Sequence, residues 1–157
     1  MSESSVDSSV GQAVVETSAD SVQRSAGGGI TGAVLLRLDD TAFPGEGWSD
    51  FPVVVLGWWL RTFTRLLSSA GTSGRCHFMD GPFAFEVEHA RGGEWFVTQL
   101  RGARRGSARQ INGPSLVESI VASARAILAA CAQRGWYSAD VDELRAATDA
   151  VESYRAA

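Results

Sequence analysis

A chain of 157 residues, 45% hydrophobic and 20% charged, has the balance of one globular domain and falls outside the disordered and fibrous classes. Its formal charge of −4 argues against a nucleic-acid backbone as the principal partner. All 14 basic residues are arginine, which GC-rich coding explains more simply than selection for arginine chemistry.

Residues 1–29 are rich in serine and glycine, and their few valines keep no sustained period. Such a stretch buries too little apolar surface to offset its ordering entropy, so a disordered tail is expected, with a single domain over 30–157. A short helix over 10–22 could form without carrying a core. No basic region leads into an apolar run, so no secretory signal is expected and a cytoplasmic location follows.

Ile30–Leu38 is a strand candidate, and Asp39, Asp40, Pro44, Gly45 and Gly47 make a loop after it. Phe51–Leu67 is the most apolar stretch and needs cover on all sides, yet it falls short of the roughly 20 residues that span a bilayer. Val53–Val55 would suit a strand, but the length to Ser69 without a turn signal favours a helix. Ser49 or Asp50 can cap it, and Pro52 fits its first turn.

Gly71–Gly74 breaks the chain before strands at 76–79 and 82–89, which flank the turn dipeptide Asp80-Gly81. In the second strand Phe83, Phe85 and Val87 point one way and Ala84, Glu86 and Glu88 the other. Glu94–Arg101 and the weaker Ser107–Ile111 complete a meander of three or four antiparallel strands. From Pro114 the period becomes 3.6, with Leu116, Val117, Ile120, Val121, Ala124, Ile127, Leu128 and Cys131 on one stripe. Ser115 and Glu118 have capping-box spacing, and Gly135 sits where a C-cap belongs. A last helix runs from Ala139 to Tyr154, capped by Ser138. The expected fold is α+β: an N-terminal strand, a long central helix, the meander, and two C-terminal helices packed on the sheet.

Little in this order carries chemistry. Cys76 and Cys131 form no CxxC pair, and two histidines cannot complete the usual zinc spacings, so free buried thiols, no metal and no cofactor are expected. His77, Asp80, Glu86, Glu88 and His89 contain the residue types of an acid–base or metal site, but the strand register sends His89 away from the glutamates. Arg101, Arg104, Arg105 and Arg109 form a basic run beside a turn, suited either to an anionic partner or to protecting a sheet edge. Trp48, Trp58, Trp59, Trp95 and Trp136 are many for this size; those on the central helix read as core, and Trp48 and Trp136 as the least core-like. No nucleophile elbow, P-loop or dinucleotide fingerprint is present.

Trp48-Ser49-Asp50-Phe51 leading into a helix with Trp58-Trp59, followed by Phe78-Met79-Asp80-Gly81-Pro82-Phe83, resembles small bacterial proteins whose layout is similar to immunity proteins of polymorphic-toxin systems. The resemblance spans 30–151 and carries over no functional residue, because that class shares no catalytic motif. It implies a non-enzymatic cytoplasmic protein that binds a toxin domain and occludes it. On that reading Glu86, Glu88 and Glu94 would oppose a basic partner surface. The alternative is a regulatory module that binds an anionic ligand or nucleic acid through Arg101, Arg104, Arg105 and Arg109.

Overall fold

The computed structural model describes residues 10–156, and its fold is α+β, with two antiparallel sheets and three α-helices. In the first sheet, β1 (Ala13–Thr17), β2 (Gln23–Arg24), β4 (Thr41–Phe43) and β5 (Ser49–Asp50) all pair antiparallel with β3 (Ile30–Leu38). The single N-terminal strand expected from sequence is thus the centre of a five-stranded sheet. The expected tail is corrected from residue 10 onward, while residues 1–9, which also belong to it, lie outside the described residues. Ala13, Val15 and Val22 are buried in the main hydrophobic cluster. β1 needs no apolar run of its own, because β3 and a helix supply its partners.

α1 (Pro52–Ser68) is the expected central helix. Its N-cap is Phe51, which makes no side-chain cap bond, rather than Ser49 or Asp50. Leu56, Trp59, Leu60, Phe63 and Leu66 are fully buried along it. Gly57 is buried in mid-helix beside the backbone of Leu144, and a glycine's cost in a helix is small beside that packing.

The second sheet runs β10 (Arg109–Ile111), β8 (Trp95–Arg101), β7 (Phe83–His89), β6 (Thr72–His77), with β9 (Arg104–Arg105) also on β8. The meander is therefore present, but Thr72–Gly74 belong to β6 instead of to a break, and the turn after it widens to 78–82. Gly74 permits this: a Cβ there would lie 2.7 Å from Arg65 Nη2 and 2.8 Å from Thr62 Cγ2, so only glycine lets α1 approach the strand so closely. Phe85, Val87, Trp95 and Val97 form the face that α1 covers. Trp59 meets Phe78 and Phe85 edge-on, each at 5.1 Å, and Phe63 stacks on Trp95.

α2 (Gly113–Gln133) and α3 (Ala139–Ala156) follow. Neither lies mainly on the meander as expected. α2 packs on β1 and α1, and α3 packs on α1 and α2. α2 buries its apolar stripe in the shared core, and Ser119 and Ser123 on it meet the backbone of β1. Val15 N–H donates to Ser119 Oγ (2.9 Å), and Ser123 Oγ donates to Val15 O (3.2 Å). Asn112, not Ser115, caps α2, accepting from Ser115 N at 3.0 Å. Gly135 follows its end at φ +69°, and Ser138 caps α3 through Val141 N. α2 has the length and hydropathy to cross a bilayer, and 56% of its apolar window is buried here inside the protein. One hydrophobic cluster links both sheets and all three helices.

Candidate interaction surface

Asp50 fixes the geometry of the surface that stands out. It is 2% exposed, and its carboxylate accepts four hydrogen bonds: from Phe51 N (2.8 Å), Met79 N (3.1 Å), Asp80 N (3.0 Å) and Trp48 Nε1 (3.1 Å). It thereby ties the end of β5 to the turn between β6 and β7 and sets Met79 beside α1. Met79 is 41% exposed.

Adjacent residues on a helix point about 100° apart, so Trp58 and Trp59 cannot share an environment. Trp59 is fully buried and donates its Nε1–H to His77 O at 2.8 Å. Trp58 is 37% exposed. Trp58 and Met79 line one groove of about 520 Å³ together with Thr62, Arg75, His77 and Phe78. The sequence expectation that both helix tryptophans belong to the core holds for Trp59 alone. Trp48 and Trp136 are half-buried: Trp48 packs edge-on against Phe83, and the guanidiniums of Arg24 and Arg134 sit over Trp136.

The groove opens onto the outer face of the second sheet. Cross-strand register aligns Arg75 with Glu86 and Thr98, Ser73 with Glu88 and Phe96, and His77 with Ala84 and Leu100. A second hollow of about 260 Å³ joins this face to the groove through Arg75, His77 and Phe78. Glu86 is engaged rather than free: Arg105 Nη1 lies 2.7 Å from its carboxylate and Arg75 Nε 3.9 Å. The hydrogen bond from Arg105 holds the Glu86 carboxyl below the usual carboxylate range. Glu88 and Glu94 are exposed and have no ion-pair partner among the described residues. The face therefore carries arginine as well as acid, which alternation along a single strand does not reveal.

The arginine run is divided by the strands it lies on. Arg101 stacks over Phe43 (4.9 Å) and Phe83 (5.8 Å), Arg105 meets Glu86, and Arg109 Nε pairs with Asp39 at 3.1 Å. Arg104 is exposed without an ion-pair partner among the described residues. Arg101, Arg104 and Arg105 still border one hollow of about 350 Å³ with Gln99 and Gly106. Arg109 stands apart from it, beside β1.

The acid–base candidates separate in the same way. His77 and Glu88 are on the outer face, and Asp80 is exposed in the turn. His89 lies on the covered face, stacked on Trp95 at 4.1 Å with Nδ1–H donating to Leu66 O at 2.8 Å. Among the described residues no three His, Cys, Asp or Glu side chains gather as a metal-binding group. Both cysteines are buried and unpaired, and burial pushes both thiols above their ordinary pKa, away from nucleophilic reactivity.

Comparison of the chain with protein-family models, with curated proteins and with solved structures gave no match in any of the three. The surface itself is what bears on function.

Proposed function

We propose that this protein is a non-enzymatic binding module that docks another protein across the groove between α1 and β6 and the adjoining outer face of β7 and β8. The observation that carries this reading is the pairing of Trp58 with Met79. Two large apolar side chains, exposed in a protein that buries most of its others, converge on one groove with a charged rim. That composition matches the centre and rim of a protein interface. Asp140 and Glu143 border Trp58 together with Arg61, Asp140 also borders Met79, and both carboxylates lack ion-pair partners among the described residues; Glu88 and Glu94 extend the acid on the sheet side.

A partner with basic groups around an apolar anchor fits this surface. The resemblance to immunity proteins names such a partner, a toxin domain blocked by occlusion in the cytoplasm. The test is purification of the tagged protein from its own host at moderate salt, with identification of what accompanies it. A stoichiometric partner is expected, weakened about tenfold or more by Trp58→Ala if Trp58 is a hot spot. Glu88→Arg should slow its association. A partner retained equally by both variants would place the interface elsewhere.

The hollow bordered by Arg101, Arg104 and Arg105 supports a second reading, an anion-binding module. Its test is binding of inorganic phosphate or single-stranded RNA across a salt series, with Arg104→Ala as the variant. Affinity for RNA that falls steeply with salt and with the substitution would favour this reading over the first.

A further inference from the structure

The edges of the two sheets are treated differently. At β1 the outward backbone groups of Val15 are both taken by α2, through Ser119 and Ser123. β6 is the terminal strand of the second sheet. Phe78 N–H donates to Phe83 O at 3.1 Å, which sets the phase of its ladder. Thr72, Gly74 and Cys76 consequently turn their backbone groups toward β7, and Ser73, Arg75 and His77 turn theirs outward. Two outward carbonyls are occupied: Ser73 O accepts from Arg65 Nη1 (3.2 Å) and His77 O from Trp59 Nε1 (2.8 Å). Between them, the N–H and C=O of Arg75 have no partner among the described residues, and neither do the N–H groups of Ser73 and His77. In front of this edge lies the Trp58–Met79 groove.

An edge strand with an unpaired donor and acceptor accepts another strand, and natural proteins shield such edges when no partner is intended. Here α1 side chains occupy one carbonyl at each end of the strand and neither backbone group of Arg75. The groove fits the alternation of a strand. A residue whose backbone pairs with Arg75 shares its face, and the residues before and after it both point to the opposite face, the side of α1 and Trp58. Among the described residues the groove lining contains Arg75 and His77 and no carboxylate, and Arg75 forms one ion pair, the 3.9 Å contact with Glu86. An acidic side chain on the incoming strand completes that charge.

We propose that an extended segment of a partner protein adds to β6, hydrogen-bonding both backbone groups of Arg75, with an apolar side chain between Trp58 and Met79 and an acidic one beside Arg75. The inference rests on the binding-module reading and specifies how the partner is held. A contact made by folded surfaces alone would leave the edge unused.

The test uses the full chain and linear seven-residue peptides selected against it from a random display library. The best peptide is resynthesised as a series, each with one backbone amide methylated, and affinities are measured by fluorescence polarisation. Strand addition predicts losses of about five- to tenfold at alternate positions, with little effect between them. It also predicts enrichment of peptides combining an aliphatic or aromatic residue with Asp or Glu, and weaker binding to Trp58→Ala. Arg75→Pro removes the outward N–H at an edge position that tolerates proline, and should weaken binding more than Arg75→Ala does. The methylation series does not depend on either variant folding.

Peptides that bind without alternation, or equally well to Trp58→Ala, would overturn strand addition and leave the binding module standing. A chain that dimerises through β6, with dimerisation abolished by Arg75→Pro, would overturn it by making a second copy the occupant. No enriched peptide would overturn it too. In that case a stoichiometric partner recovered from the host spares the binding-module reading, and none recovered removes both.

Discussion

Asp50 shows how much a single buried residue can organise. Its carboxylate satisfies three backbone amides and an indole from two stretches of chain, one of which carries Met79. An unsatisfied buried donor costs about 1–3 kcal/mol, and Asp50→Ala leaves four to be rehydrated. The expected loss is about 3 kcal/mol or more in urea unfolding, with Asp50→Asn recovering little because its amide turns donors toward donors. Unchanged stability in Asp50→Ala would mean that water replaces the carboxylate. Glu86 acts through charge. Its folded pKa is depressed, mainly by the hydrogen bond from Arg105, so acid favours the unfolded chain. Its contribution is complete above the ordinary carboxyl pKa of about 4.3 and is lost as pH falls through the lower folded value. Glu86→Gln should therefore flatten the acid limb of the stability curve by up to about 1 kcal/mol, the scale of a partly exposed ion pair. A limb of unchanged slope would assign the acid sensitivity to other carboxylates, such as Asp39, which is depressed chiefly by the Gln12 amide.

At the scale of elements, β1 depends on hydrogen bonds from a helix. Replacing both Ser119 and Ser123 with alanine strips the outer N–H and C=O of Val15 of their partners. A loss of about 2 kcal/mol is expected, with faster amide exchange at Val15 than at Val97 in the second sheet. Equal protection at both sites would show that β1 is held by β3 alone. This strand also marks the limit of what the sequence makes legible. α1 and α2 announce themselves by length, by proline near the start and, in α2, by a sustained apolar stripe. Ala13–Thr17 alternates correctly but for only five residues among serines, and its stabilising partners lie 17 to 25 positions away in β3 and 104 to 108 away in α2. The turn at Asp80-Gly81 is readable, yet its width over 78–82 is set by Asp50 gripping Met79 and Asp80, a contact across 29 and 30 residues. The arginine run is continuous in sequence and divided in space, because strand residues turn to alternate faces. Trp58 was hidden by its neighbour: a helix start with two tryptophans gives no sign of which one faces out.

For the whole molecule, the segment from Ala13 to Arg24 is structural. Removing residues 1–24 deletes β1 and β2 and exposes the surfaces that Ala13, Val15 and Val22 cover. Each valine contributes about 1.5–3 kcal/mol by burial, and the lost strand pairing adds to it, so the sum approaches the entire stability of a small domain. The truncated chain is expected to lose its cooperative thermal transition. A sharp transition within a few degrees of the parent would return the segment to the role of a tail. In the same architecture α2 packs on β1 of the first sheet and α1 covers one face of the second, whose edge and outer face meet the surroundings. One core serves both sheets, and the candidate binding surface belongs to the second.

The two buried thiols give this division a clock. Cys76 belongs to β6, one residue from the open backbone of Arg75, and Cys131 belongs to α2 near its end. Neither can meet an alkylating reagent until its own element opens. Native-state labelling therefore times two separate events in one chain. A strand seated on β6 should lengthen the waiting time at Cys76 more than that at Cys131, so occupancy of the groove could be read as a change in the order of labelling before any partner is identified.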